Sequence, residues 1–344
     1  MSKLYGKTAD GQMASLYTIE SEQIRAEITD FGAVLVALWV KDKNGKATDV
    51  VLAHDSLEGY FNNPECFGSI IAPVANRTEN ACFTIDGTTY HMLKNEGENN
   101  LHSDTANGAH KRLWKVVDEK KDELTLEIEM ADGDMGFPGN RKINVTYSVK
   151  EGTLGIKYRI VSDKATVFNP TNHSYFNLGG YDSGSVFDHY LKLDCDYYTP
   201  VKPGSIPTGE IAEVTGTPMD FTKGKTIGED FDLSFEQLKL TNGYDHNFVI
   251  NDYDGSLRHF ATLCSEKTGI IMDAYTTMPG VQLYTGNFVD VENGINGTKF
   301  TAHDGLCLET QFFPNSANQP GFVSPRIDGN KEYCCRTEYS FKTE

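Results

Sequence analysis

Short segments in which apolar and polar residues alternate recur from one end of this chain to the other. They are rich in Val, Ile, Thr, Tyr and Phe, and Gly, Asn, Asp or Pro separate them. Alternation with a period of two is typical of a strand with one buried face. The predicted strands include Ser15–Glu20, Ile24–Thr29, Val34–Val40, Phe83–Tyr90, Leu124–Met130, Ile143–Val149, Ile156–Ile160, Tyr190–Leu193, Phe248–Ile250, Ala261–Cys264, Ile270–Tyr275, Val281–Tyr284 and Leu306–Phe312. This repetition predicts an all-β fold.

Turn signals agree with antiparallel pairing, and helical patterns are scarce. Hairpins are supported by the turn dipeptides Asn44-Gly45, Asp86-Gly87, Asp132-Gly133 and Asn242-Gly243. Only Ser56–Phe61 and Phe231–Leu238 favour one or two helical turns. No linker, low-complexity tract or repeat divides the chain. We therefore expect one large antiparallel domain over residues 1–344, a sandwich or a barrel.

The net charge narrows the classes of partner. The chain has 31 basic and 49 acidic residues, a formal net charge of -18. An excess of negative charge opposes association with nucleic acid or an anionic membrane surface. It favours neutral or cationic ligands.

Cysteine usage and the N-terminus indicate the compartment. Seven cysteines are scattered without a CxxC pair, which suits a reducing cytoplasm. The first seven residues lack the apolar core of a signal peptide, and no apolar run approaches a membrane span of roughly 18 residues. We expect a soluble, cytoplasmic protein.

The stretch Asn169–Leu178 contains the first candidate catalytic group, His173. Asn172 and Ser174 can fix the imidazole tautomer or meet hydroxyl-rich ligands, and Tyr175 offers a flat apolar face. Taken alone, His173 is better explained as a half-buried strand residue whose ring bonds to a backbone carbonyl. Its interpretation depends on residues further along the chain.

A carboxylate inside an apolar strand is the second candidate. Glu309 lies within Leu306–Phe312 and would share a strand face with Cys307 and Gln311. An unpaired buried carboxylate is costly. Glu309 therefore either pairs with an arginine or a lysine, or stands in a cleft as a base with a shifted pKa.

Further polar groups lie beside predicted strands or turns, and each has an ordinary structural explanation when taken alone. They are Asn76, Arg77, His102, Asp245 and Gln282. Arg77 could form a surface ion pair, and the others could be solvated or stabilise turns. The chain has no HExxH or other metal-ligand spacing, so we predict no metal site. It also lacks GxSxG, P-loop and GxGxxG motifs, which excludes the common hydrolase, NTPase and dinucleotide-binding classes.

Together these segments resemble the aldose 1-epimerase family, also called galactose mutarotases. The resemblance covers almost the whole chain, and the order and spacing of the motifs make it specific. The motifs are Ala75-Asn76-Arg77, Asn100-Leu101-His102, Gly136–Asn140, Asn169–Leu178, Tyr244-Asp245-His246, Pro279–Gln282 and Leu308–Gln311. The resemblance implies a large antiparallel β-sandwich with a sugar cleft on one concave face.

The resemblance also implies roles for individual residues. His173 is expected to be the general acid and Glu309 the general base. The positions expected to hold the sugar are Asn76, Arg77, His102, Tyr175, Asp245 and Gln282. The implied reaction interconverts the α and β anomers of free hexoses, galactose or glucose, without a metal or a redox cofactor. A bell-shaped pH profile is expected, and the protein is expected to be a monomer or a homodimer.

Some positions depart from the family pattern and leave the preferred sugar open. Ala72-Pro73 replace a common Gly-Arg, Ser103-Asp104 replace a frequent Gly-Gly, and Thr78 replaces a usual isoleucine. The main alternative is a non-catalytic sugar-binding protein on the same fold. A glycoside-processing enzyme would use Asp245 with Glu309 as paired carboxylates. A sugar-phosphate epimerase would need a cluster of basic residues, which the motifs lack.

Overall fold

The computed structural model describes residues 2–344, and nearly all of their regular structure is β-strand. In chain order the strands are β1 (Ser2–Lys7), β2 (Met13–Glu20), β3 (Ile24–Thr29), β4 (Leu35–Lys41), β5 (Ala47–Asp49), β6 (Ile70–Ile71), β7 (Arg77–Thr78), β8 (Cys82–Ile85), β9 (Thr88–His91), β10 (Asn100–Leu101), β11 (Lys115–Glu119), β12 (Glu123–Met130), β13 (Arg141–Lys150), β14 (Thr153–Ser162), β15 (Thr166–Val167), β16 (Thr171–Asn172), β17 (Tyr190–Leu193), β18 (Tyr197–Tyr198), β19 (Val201–Lys202), β20 (Ile206–Pro207), β21 (Ala212–Glu213), β22 (Lys225–Thr226), β23 (Asp245–Val249), β24 (Arg258–Ser265), β25 (Ile270–Thr276), β26 (Gly280–Tyr284), β27 (Cys307–Gln311), β28 (Arg326–Ile327) and β29 (Glu332–Thr343).

Helices are confined to short connections. Within residues 2–344 the only α-helix, α1, spans Glu236–Thr241. Short 3-10 turns occur at Leu57–Tyr60, Glu79–Ala81, Ala109–Lys111, Asp134–Gly136, Val186–Asp188, Ile295–Gly297 and Ser316–Asn318. None of the helices in this part of the chain is long and apolar enough to cross a membrane.

Three antiparallel sheets share one core and confirm the predicted sandwich. The largest has nine strands in the order β11-β12-β13-β14-β29-β25-β24-β17-β22, and two others have the orders β1-β2-β3-β4-β5 and β21-β18-β23-β26-β27. The largest hydrophobic cluster includes Ile28, Val145, Leu263 and Leu283, so all three sheets contribute to it. Burial alternates along β12 and β14, as expected for strands with one face on the core.

Two local predictions were wrong, for related reasons. Phe83–Tyr90 is not one strand, because Asp86 and Gly87 both have positive φ (49° and 81°) and turn the chain between β8 and β9. Asn242-Gly243 does not form a hairpin. Asn242 (φ 56°) instead ends α1, and the Gly243 N–H donates to the Leu238 carbonyl. The hairpin turn and the helix end both need positive φ, which Asp-Gly and Asn-Gly favour.

The strands β23, β26 and β27 are buried on both faces. Phe248, Val281 and Leu308 belong to the core cluster on one side. Polar side chains on the opposite side form a cleft instead of facing open solvent. The alternating sequence pattern that predicts half-buried strands therefore also occurs in strands whose polar face lines a cleft.

Candidate active site

His173 and Glu309 face each other at the bottom of this cleft. His173 follows β16, where its N–H donates to the Ser69 carbonyl and its carbonyl accepts from the Gly68 N–H. Gly68 has φ +64°, and a Cβ there would collide with the Leu35 carbonyl oxygen. His173 Nε2 lies 3.6 Å from Glu309 Oε2. These backbone hydrogen bonds fix the position of the His173 main chain beside the cleft.

Burial works against charge on both members of the pair. Glu309 is 2% exposed, and Oε2 has no hydrogen-bond partner. Burial, with the Asp245 charge adding to it, raises the pKa of Glu309 well above its usual value. Burial also lowers the pKa of His173 to about 4. Burial therefore favours the uncharged form of each group, a protonated Glu309 and a neutral His173.

Neighbouring strands hold the amide and carboxylate groups behind the cleft. Gln282 lies opposite Glu309 in the β26–β27 register. Its Nε2 donates to Asp245 Oδ1 at 2.6 Å, and its Oε1 accepts from Gln311 Nε2 at 3.0 Å. Asp245 is thereby oriented with its other oxygen toward Arg77, 3.4 Å from Nη1. Gln282 supports Asp245 from behind and does not line the cleft.

Two left-handed residues connect the loops that carry Arg77 and His102. Asn76 and His102 have φ of 61° and 55°. The Asn76 N–H donates to His102 Nδ1 at 3.1 Å, and the His102 N–H donates to the Asn76 carbonyl at 3.2 Å. Because Nδ1 is an acceptor and burial lowers the pKa of His102, the neutral ring carries its proton on Nε2. His102 thus supplies a hydrogen-bond donor.

An aromatic wall borders the histidine. The Tyr175 ring stacks on His173 with centroids 5.2 Å apart, and its hydroxyl donates to the Glu65 carbonyl. The cleft has a volume of about 390 Å³, suitable for a small ligand. Seven of the eight predicted site residues line it: Asn76, Arg77, His102, His173, Tyr175, Asp245 and Glu309. A larger cavity of about 540 Å³ beside Trp39 contains none of them.

Potential metal ligands occur at the same place. One donor atom each from His173, Cys307 and Glu309 lie within 4.8 Å of one another. Cys307 Sγ faces Nδ1 of the imidazole at 3.5 Å, whereas Glu309 faces Nε2. The orientation observed suits proton transfer, and the absence of a resident metal stays a prediction.

Comparisons with known proteins point to a single family. The family model for aldose 1-epimerase matches residues 15–340. Human galactose mutarotase is 38% identical over 338 residues, covering 96% of this chain and 95% of that protein. Escherichia coli aldose 1-epimerase is 33% identical over 339 residues, covering 97% of each chain. The structure of an aldose epimerase homologue from C. elegans has a TM-score of 0.86 at 30% identity, covering 96% of this chain and 99% of its own.

This chain belongs to the aldose 1-epimerase family. Residues at which the chain departs from the family pattern hold the loops around the cleft. Buried Ser103 donates to the Val74 carbonyl at 2.8 Å and accepts from the Val74 N–H at 2.9 Å. Asp104 accepts from the N–H groups of Ala106 and Asn107. These side chains therefore have structural partners.

The other residues that depart from the family pattern also lie in backbone segments around the cleft of this epimerase. Ala72-Pro73 is a cis peptide, and the Pro73 carbonyl accepts from the Asn169 N–H at 2.8 Å. Thr78 pairs with Asn100 in the β7–β10 ladder. None of these residues lines the cleft.

Several lining residues were not predicted from the sequence. Glu96, Tyr284 and Phe288 border the cleft. A glutamate in a polar loop is ordinarily solvated, and the pattern around Glu96 carries no signal to the contrary. Phe288 is 66% exposed, and a single exposed aromatic residue is likewise unremarkable in a sequence.

Proposed function

We propose that this protein interconverts the α and β anomers of free hexoses, galactose or glucose, by acid–base ring opening and reclosure. The observation that carries the proposal is the 3.6 Å approach of His173 Nε2 to Glu309 Oε2 at the floor of a cleft. The C1 hydroxyl and the ring oxygen of a hexose share one carbon. Two groups this close can serve both oxygens.

In this mechanism Glu309, as the carboxylate, takes the proton from the C1 hydroxyl while His173 delivers one to the ring oxygen. The ring opens, the aldehyde end rotates by half a turn, and the steps reverse on the other face. Moving the pair's proton from Glu309 to His173 gives the productive state without uptake of a proton from solvent. Each positioned group typically contributes about 10²–10⁴-fold.

Cleft residues are assigned to charge stabilisation and binding. Arg77 and the His102 Nε2–H can stabilise negative charge that develops on oxygen. Asn76, Tyr175 and Asp245 contact the sugar, and Gln282 orients Asp245. The proposal includes one domain over residues 1–344, a cytoplasmic location, a monomer or homodimer, and no metal or redox cofactor.

The alternatives receive less support. A glycoside-processing reaction would need Asp245 as a second free carboxyl group, but its oxygens face Gln282 and Arg77. A sugar phosphate would need basic groups, yet Arg77 is the only lysine or arginine that lines the cleft within residues 2–344. A non-catalytic sugar-binding protein would not require the acid–base pair.

Polarimetry of fresh α-D-galactose and α-D-glucose tests the proposal. The wild type should accelerate mutarotation, and His173→Asn and Glu309→Gln should each lower the rate by about 10²–10⁴-fold. His91→Asn, at an exposed position on β9, is the matched control and should leave the rate unchanged. Circular dichroism checks folding. Sugar binding without acceleration of either sugar would favour the binding-protein alternative.

A further inference from the structure

The charged groups around the cleft are unbalanced. Four carboxyl groups line it: Glu65, Glu96, Asp245 and Glu309. Arg77 is the one arginine or lysine that faces them in the described part of the chain. The two lining histidines, His102 and His173, do not offset the acidic groups because burial favours their neutral forms. Even with Glu309 protonated, the remaining carboxylates outnumber the cation.

Glu96 occupies the edge of Arg77 that ordinarily binds anions. Arg77 Nε lies 2.8 Å from Glu96 Oε2, and Nη2 lies 2.9 Å from Oε1. This is the bidentate arrangement in which guanidinium groups bind carboxylates and phosphates. Nη1 faces Asp245 Oδ2 at 3.4 Å. An incoming anion would therefore have to displace a carboxylate that the protein itself supplies.

The position of Glu96 lets it act on ligands as well as on Arg77. Its side chain is 36% exposed, whereas that of Arg77 is 15% exposed. Glu96 is therefore the more solvent-accessible member of this ion pair, and both members line the cleft. A charged ligand in the cleft therefore experiences the Glu96 carboxylate as well as the guanidinium of Arg77.

We propose that this cleft selects aldoses by charge, accepting neutral hexoses and hexosamines with a protonated amine and rejecting hexuronates and hexose phosphates. Glu96 is the residue that sets this selection. The inference rests on the proposed mutarotase function and adds the substrate class. For a ligand charge about 8 Å from the Glu96 carboxylate, and an effective dielectric constant of about 30, removal of the Glu96 charge changes the affinity for that ligand about tenfold.

The test compares kcat/KM for mutarotation of D-galactose, D-galactosamine and D-galacturonate at about pH 6.5, where the amine is protonated. The wild type should prefer galactosamine to galacturonate. Glu96→Gln removes the charge and keeps the size of the side chain. It should lower the galactosamine-to-galacturonate ratio by about a hundredfold, which is about tenfold for each substrate in opposite directions. Glu98→Gln, on an exposed neighbour paired with Lys94, is the control and should leave the ratio unchanged.

A salt series on the wild type provides a measurement that does not depend on the variant. Added salt should lower kcat/KM for galactosamine and raise it for galacturonate, with little effect on galactose, because it screens charges at the exposed mouth. Equal ratios in the wild type and Glu96→Gln, or equal salt effects on all three sugars, would overturn the inference. Failure to accelerate galactose would instead overturn the proposed function.

Discussion

Glu309→Gln should separate the stability of this protein from its activity. The carboxyl group is buried, its Oε2 is unpartnered, and burial raises its pKa. A group whose pKa is raised on folding contributes stability below its unfolded pKa. That stability is lost progressively as the pH rises from the unfolded pKa through the folded pKa. Glutamine cannot ionise, so the variant escapes this loss and should gain stability relative to the wild type as the pH rises.

The size of the effect follows from linkage. The unfolded pKa of a glutamate is about 4.3, and each unit between it and the folded pKa corresponds to about 1.4 kcal/mol. The free-energy difference between Glu309→Gln and wild type should therefore grow by about 1.4 kcal/mol per pH unit until the folded pKa is passed. Typical domains are stable by only about 5–15 kcal/mol, so the change in this difference over two pH units is readily measured.

Urea unfolding at intervals from about pH 5 to pH 8 measures this slope. The folded His173 pKa of about 4 lies below this range, and unfolded histidine titrates near pH 6.5 in both proteins, so the contribution of His173 is common to the two and cancels in their difference. A constant offset from altered hydrogen bonding would not change the slope. Glu292→Gln, at an exposed residue paired with Lys299, should show no such trend. A pH-independent difference for Glu309→Gln would refute the argument that burial penalises its charge.

Two further predictions concern the pH profile and the loop that follows His102. The pH profile of kcat/KM should be a bell with a broad plateau. The reason is that His173 and Glu309 together hold one proton between a lower limit near the His173 pKa of about 4 and an upper limit at the raised pKa of Glu309. A narrow bell centred on pH 4–5 in initial-rate polarimetry would contradict this. Ser103→Ala should destabilise the fold by about 1–3 kcal/mol in urea, because it leaves the buried Val74 N–H without its partner; an unchanged unfolding midpoint would show that this bond is dispensable.

Alternation and turn residues gave the β-rich character and many strand positions. Tyr190–Leu193 was predicted with its observed bounds, and the Ile143 and Ile156 segments lie within longer observed strands. The prediction was less accurate where one local signal serves two structures. Asn242-Gly243 is the example, since positive φ suits both a hairpin and a helix end.

The motif resemblance identified the site residues, and the fold determined their spatial relations. Spacing along the sequence could place Glu309 on a strand face with Cys307. It could not show that His173, which directly follows β16, places its Nε2 3.6 Å from the Glu309 carboxyl group. Nor could it show that Gln282 lies behind Asp245, or that Glu96 occupies the binding edge of Arg77.

The sequence by itself determined the strand-rich fold, the acidic character and the residue types available for acid–base chemistry, because these depend on local pattern and composition. Tertiary structure decided which groups meet and which charges are disfavoured. Burial of Glu309 and His173 depends on the packing of strands far apart in the chain, and burial sets the direction of both pKa shifts. The reactivity of the pair is therefore a property of the folded cleft.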